Sequence, residues 1–359
     1  MTQKSIFSVS YTTECRPWPD GAAPCANIAD MSAKSTTSAK SSSAFVTRTN
    51  ALVARFRRQR PLRGGSLLVT ILGDAIAPRG GTIALASLIR LAMPFGLTER
   101  LVRTSIGRLA NEDWVSFERS GRASFYSLTT NGRARFAEAT QRIYGAPPQD
   151  WDGFWTMAIV PPSLKTRRDD LREEMLWLGF GQVTAGVFAH PTYRESAISA
   201  RLEELQSSGQ LIVMKGSILS EAASANLVAM GWDLDDLARR YKRFIDMFAP
   251  VATALSDAGN APLAGDIAFI LRTLLLHEYR KIHLRDPLLP AALLPEDWAG
   301  TDAQKLCRDL YAKVFPASEQ YLSATVQTQA GALPAPAAEI FQRFGGLPPV
   351  DAGDSARVA

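Results

Sequence analysis

Arg100, Arg103, Thr104, Gly107 and Arg108 stand at positions i, i+3, i+4, i+7 and i+8, the spacing that places side chains on one face of an α-helix. Val102, Ile106, Leu109 and Ala110 fall on the opposite face. A helix that reads DNA needs this division, because the apolar side anchors it while the donors face a major groove. Arginine can bind guanine O6 and N7 with two hydrogen bonds, and threonine can touch a thymine methyl or a phosphate. Gly107 in mid-helix costs ~1 kcal/mol relative to alanine, and close approach of a partner backbone or phosphate would account for it. Thr98 stands where an N-cap is expected. Downstream, Arg119 and Arg122 flank Gly121 between two β-prone runs, so both are expected near a hairpin tip that reaches the phosphate backbone or the minor groove. The candidate DNA contacts are therefore Thr98, Arg100, Arg103, Thr104, Arg108, Arg119 and Arg122. RNA fits less well, since the segment lacks an aromatic ladder for stacking unpaired bases.

The charge distribution agrees. Residues 45–145 hold 16 arginines, no lysine and six acids, a surplus of ten, although the whole 359-residue chain carries only +5. Concentrated positive charge is the footprint of a phosphate partner; a solvated basic surface is the alternative. Arg55, Arg57, Arg58, Arg60 and Arg63 form a further cluster, either an arm on DNA phosphates or a solvated linker.

The elements positioning these residues follow from periodicity. Residues 66–77 carry a helical stripe (Leu67, Leu68, Ile71, Leu72, Ile76), and Thr82 is expected to open a second helix with Leu85, Leu88, Ile89 and Met93. A third helix is predicted from Thr98 to about Glu112, followed by strands over 114–119 and 124–128 and a helix over 132–144. Three helices and a hairpin give the order of a winged helix-turn-helix. Residues 154–215 read βαββαβ, a ferredoxin-like order, and the remainder is helical. The expected fold class is thus α+β, divided into a disordered extension (1–50), a winged-helix DNA-binding domain (51–145), a ferredoxin-like domain (146–218), a C-terminal helical domain (219–326) and a mostly flexible tail (327–359). The Ser, Thr, Ala and Lys content of the extension motivates that expectation, and Met31 is a possible alternative translation start.

Other chemistry finds little support. Cys15, Cys25 and Cys307 make no CxxC pair, which argues against a zinc ribbon and fits a reducing, cytoplasmic compartment. No apolar run is long enough to span a bilayer. His277-Glu278 begins like HExxH, but Lys281 stands where the second histidine belongs, and no nucleophile elbow or phosphate-binding glycine loop occurs. The expectation is a non-enzyme, with no catalytic residue, no metal and no cofactor. Around that motif lies the densest polar cluster outside the basic region. Arg280, Lys281 and Arg285 could hold the phosphates of an effector, or form a structural ion-pair network with Glu278 and Asp286.

Two separated stretches resemble a known family. Leu62-Arg-Gly-Gly-Ser-Leu-Leu-Val-Thr-Ile-Leu-Gly-Asp-Ala-Ile-Ala-Pro-Arg-Gly-Gly, with Val102-Arg-Thr-Ser-Ile-Gly-Arg-Leu, is similar to the winged-helix domain of the PaaX family of phenylacetic acid degradation regulators. Leu275-Leu-His-Glu-Tyr-Arg-Lys-Ile-His-Leu-Arg-Asp-Pro-Leu-Leu-Pro and Leu294-Pro-Glu-Asp-Trp resemble its C-terminal signature, and the middle resembles its Cas2-like module. The likeness covers roughly residues 50–325. It implies a homodimeric repressor of an aromatic-acid catabolic operon, bound to double-stranded operator DNA and released by phenylacetyl-CoA or a related aryl-CoA. A thioester of that kind needs cations for its phosphates, and Arg272, His277, Arg280, Lys281 and Arg285 are the candidates. The Cas2-like likeness leaves a metal-dependent nuclease as the alternative. Such nucleases carry an aspartate at the end of the first strand, where this chain has Val160-Pro161.

Overall fold

The computed structural model describes residues 28–347 except 63, 146–150, 164–167, 192–195, 219 and 260. It begins with a long helix, α1 (Ile28–Arg57), which corrects the expectation of a disordered extension for residues 28–50; residues 1–27 lie outside the described residues. Phe45, Thr49, Leu52, Val53 and Phe56 recur at helical spacing and are all buried, packed against two helices of the C-terminal half. Tertiary burial of this stripe, not intrinsic propensity, holds the helix.

The next helix, α2 (Gly64–Ile71), continues into a π-helical turn over Leu72–Ile76 and a 3₁₀ turn over Ala77–Arg79. Gly80 and Gly81, with φ of 88° and 74°, then redirect the chain. Because of that turn Thr82 does not open a helix as expected. Thr82–Ala84 forms β1, and α3 starts only at Leu85 (Leu85–Ala92). Next come α4 (Glu99–Asn111), the hairpin β2 (Val115–Ser120) and β3 (Ala123–Leu128), and α5 (Thr130–Tyr144). The three strands form an antiparallel sheet in the order β1-β3-β2. Gly121, at φ 59°, supplies the left-handed turn position of the hairpin.

The middle of the chain runs β4 (Phe154–Ile159), α6 (Arg168–Trp177), β5 (Gly181–Thr184), β6 (Val187–Pro191), α7 (Ser196–Ser207) and β7 (Ile212–Ser217). Its sheet order is β5-β6-β4-β7 with every neighbour antiparallel, the arrangement the βαββαβ reading implies. Ala158 and Phe188 face Leu171, Met175 and Leu205 of the two helices. Trp155 and Ala189, on the other face, meet Val228 and Leu289.

Four helices complete the body: α8 (Glu221–Gly231), α9 (Leu234–Asp257), α10 (Gly265–His283) and α11 (Ala299–Thr325). The buried residues of α9, α10 and α11 share one continuous core with those of α1 to α5. Residues 327–347 are not a flexible tail. A short hairpin, β8 (Gln327–Thr328) and β9 (Gly331–Ala332), is followed by a 3₁₀ segment over Ala338–Gly345, and Leu333, Ile340 and Arg343 are buried. Their backbone is tied down too, with Gln327 N donating to Ser87 Oγ (2.9 Å) and Ala337 N to Pro78 O (2.8 Å).

Candidate nucleic-acid interface

Thr98 caps α4, its Oγ1 accepting from Leu101 N at 3.3 Å. Val102, Ile106 and Leu109 are buried. Gly64 lets α2 come close, since a Cβ there would lie 3.1 Å from Leu101 Cγ and 3.2 Å from Ser105 Oγ. The outer face of α4 is as the spacing predicts: Arg100, Arg103, Thr104 and Arg108 are all exposed. Arg103 donates from Nε and Nη2 to Glu99 Oε1 (2.8 and 2.7 Å), a pair open to solvent. Exposed pairs of this kind are worth about 0–1 kcal/mol, so a phosphate or base edge can displace Glu99. Thr104 donates to Arg100 O (2.9 Å). Nothing lies within 4 Å of a Cβ built on Gly107; no contact inside the protein calls for glycine there.

The hairpin adjoins this face. α4 contacts β2, and the Arg103 guanidinium opposes the rise that burial gives the Tyr126 hydroxyl pKa. Tyr126 in turn meets Phe117 at 5.4 Å between ring centroids, and Phe117 is 54% exposed. Arg119 Nε donates to Gly121 O (3.2 Å), and Arg122 projects at the exposed turn. Helix and hairpin therefore present one basic surface, to which Phe117 and Tyr126 add an aromatic pair that the charge-based reading missed. Alternation along the hairpin was the available signal.

Behind this surface lies a buried polar network. Asp74 sits on the π-helical turn. Its Oδ1 accepts from Tyr144 (2.7 Å), Tyr311 (2.8 Å) and Arg343 (2.7 Å), and its Oδ2 from Arg272 Nε (2.7 Å). Arg272 also bonds Glu319, whose other oxygen accepts from Arg79 at 2.9 Å. Arg79 reaches Pro334 O (2.6 Å) and Ser323 Oγ (2.7 Å). Burial alone would raise the Asp74 pKa, but Arg272 and Arg343 hold it below the usual carboxylate range. Gly73, next in sequence, admits the Phe136 ring, which would stand 2.6 Å from a Cβ.

The five candidate effector residues do not form one open groove. Arg272 and His277 are fully buried. His277 Nδ1 lies 3.0 Å from Thr70 Oγ1, and burial, reinforced by Lys281 and Arg280, pushes its pKa well down. Arg280 donates to Thr70 Oγ1 (2.8 Å) and to Ser66 O (2.6 Å), fastening α10 to α2. Lys281 pairs with Glu278 at 2.9 Å, and Arg285 is exposed. Asp286 takes no cation from this set; it accepts from Tyr241 (2.7 Å) and Leu288 N (2.8 Å). The structural role weighed for this cluster thus holds for the Lys281–Glu278 pair, while the larger network runs through Asp74 and Glu319 instead. A cavity of about 1150 Å³ lies between the central sheet module and the C-terminal helices, lined by Trp151, Val228, Trp232, Leu234 and Leu293 among others. Among the described residues no cluster of His, Cys, Asp and Glu could hold a metal, and no helix is long and apolar enough to cross a membrane.

Comparison with known proteins adds kinship to this geometry. Residues 63–132 match the family profile described as PaaX-like protein, 148–228 the PaaX protein central Cas2-like domain, and 232–324 the PaaX-like protein C-terminal domain. Over 290 residues, 80% of this chain and 92% of the relative, it is 37% identical to the transcriptional repressor PaaX of Escherichia coli (strain K12). Among solved structures it is similar to the uncharacterized protein Rv0674 from Mycobacterium tuberculosis, at 24% identity and a TM-score of 0.44, covering 70% of this chain and 95% of that one. With three profiles in chain order and that identity to a curated relative, the chain belongs to the PaaX family.

Proposed function

We propose that this chain is a DNA-binding transcriptional repressor of an aromatic-acid catabolic operon, in which residues 51–145 act as a winged helix. In this reading α4 enters the major groove with Arg100, Arg103, Thr104 and Arg108, and the hairpin carrying Arg119 and Arg122 straddles the adjacent backbone. The observation that carries it is the exposed basic face formed by α4 and the hairpin it contacts. Kinship with a relative named as a transcriptional repressor supports it. A homodimer would read two half-sites whose separation its geometry sets. The effector is an aryl-CoA thioester such as phenylacetyl-CoA, which binds the DNA-incompetent packing more tightly and so draws the population off the operator. The burial of Arg272 and His277, and the bonds that hold Arg280 to Thr70 and Ser66, leave Lys281 and Arg285 as the candidate phosphate contacts on α10 and just after it. The cavity of about 1150 Å³ lies just above the usual small-ligand range of about 300–1,000 Å³.

The test is fluorescence anisotropy of the full chain on duplex from its own upstream region at fixed salt, with unrelated duplex as competitor. Specific binding, abolished by phenylacetyl-CoA and not by free phenylacetate, is expected. Specific binding that no aryl-CoA relieves would remove the effector from the proposal. Binding equal on all sequences would remove the operator.

A further inference from the structure

We infer that the outer face of α1 is a second duplex-binding surface, a sequence-independent clamp for the phosphate backbone beside the end of the reading helix. The inference rests on the DNA-binding reading above and adds an element that no wing or reading helix supplies. Between residues 31 and 60 the chain holds seven lysines and arginines and no acid. The apolar stripe of α1 is buried against α9 and α10, so its polar side is the side left to solvent. Arg48 and Arg55, at i and i+7 along that side, and Arg58, in the turn just past the end of α1, are exposed. None of the three has an ion pair among the described residues.

Position decides the partner. Arg57 Nε and Nη2 both donate to Pro94 O, at 3.2 and 2.7 Å, and a Cβ on Gly96 would lie 3.0 Å from Arg57 Cγ. Pro94 and Gly96 belong to the turn that immediately precedes Thr98, the cap of α4. The basic end of α1 is therefore latched to the N-terminal end of the helix that reads bases, so both meet the same duplex. From Arg48 to Arg57 the helix rises about 14 Å, on the order of four nucleotide steps of one strand, and Arg58 follows in the turn at its end. A lipid surface is the poorer fit, because insertion needs an outward apolar face and that of α1 is turned inward.

The experiment is a salt titration of duplex binding by the full chain and by the triple variant Arg48→Gln, Arg55→Gln, Arg58→Gln, on operator and on unrelated duplex. Far-UV circular dichroism checks that α1 is retained, and Arg57 is left intact as the latch. Three lost phosphate contacts should flatten the slope of log K against log salt by about 2.7. Between 50 and 200 mM salt the wild type should then lose about 40-fold more affinity than the variant. The loss should be equal on both duplexes, leaving the specificity ratio unchanged, and the corresponding lysine triple should keep the wild-type slope. An unchanged slope in the glutamine triple, with specific binding intact, overturns the clamp and leaves the operator reading standing. A flattened slope in a protein that prefers no sequence keeps the clamp and removes the operator reading. A wild type that binds no duplex overturns both.

Discussion

Asp74→Asn should be the most damaging single change in the buried network, because Asp74 is where its charges balance. In the native protein three guanidinium groups, Arg79, Arg272 and Arg343, face two carboxylates, Asp74 and Glu319, an excess of one positive charge. Asparagine raises the excess to two. It also places an NH₂ donor where the carboxylate accepted only, opposite Arg272 or opposite the hydroxyls and guanidinium bonded to Oδ1. Leaving a buried charge without its partner costs about 3–5 kcal/mol, a large part of a typical 5–15 kcal/mol stability. At about 2–4 °C per kcal/mol, Tm should fall by about 6–20 °C. Arg272→Met is the informative contrast. It leaves two arginines against two carboxylates, Asp74 keeping Arg343 and Glu319 keeping Arg79, while the methionine retains part of the packing on Tyr311 and Phe315. Its loss should be less than half as large. Thermal unfolding followed by far-UV circular dichroism at pH 7.5 measures both. A shift under about 2 °C for Asp74→Asn, or an equal or larger one for Arg272→Met, would refute the charge-balance argument.

Arg103→Ala should weaken specific operator binding by about 5–150-fold, the equivalent of about 1–3 kcal/mol for a bidentate base contact, and leave Tm within about 1 °C because its pair with Glu99 is exposed. Competition binding alongside a melt checks it, and a loss equal on unrelated duplex would place Arg103 on phosphate instead. Stability should also decline on mild acidification. Burial lowers the pKa of His190 to about 4 and depresses those of His277 and His283. These rings stay neutral when folded and take up protons when unfolded below a pH of about 6.5, so stability present near neutrality is lost as pH falls from about 6.5 toward 4. His190 alone contributes about 2 kcal/mol of that loss by pH 5. A Tm equal at pH 7.5 and pH 5 would contradict these environments.

What the sequence disclosed depended on whether a signal was local. The faces of α4 follow from 3.6-residue periodicity, and the hairpin follows from β-prone runs around Gly121, so the exposure of Arg100, Arg103, Thr104, Arg108, Arg119 and Arg122 was readable. The sheet order β5-β6-β4-β7 followed from element order alone. Helix α1 was obscured by its Ser/Thr/Ala/Lys composition, although the apolar residues from Phe45 to Phe56 already carried the helical stripe. Asp74, Glu319 and Arg343 gave no local cue: they are separated by up to 269 residues and meet only in the folded chain. For the same reason Arg272 and Arg280 looked available for a phosphate, when their partners are Asp74, Glu319, Thr70 and Ser66.

Those partners constrain how any signal reaches the DNA face. α4 packs on α2, α2 runs into the turn holding Asp74, and Asp74 is gripped by α10 and by the segment after β9. A close-packed interior joins α4 to the C-terminal helices, where a flexible linker would have let them move independently. Such interiors have discrete alternative packings and do not deform smoothly. Driving a two-state population from 1:99 to 99:1 takes about 5.5 kcal/mol of differential affinity. Exposed ion pairs, at about 0–1 kcal/mol each, are too weak to hold such a balance. Separating a buried pair strands a charge at a cost of about 3–5 kcal/mol, which is of the right size. The Asp74–Arg272–Glu319 contacts, which tie the turn after α2 to α10 and α11, are therefore where a second packing would meet the largest electrostatic difference.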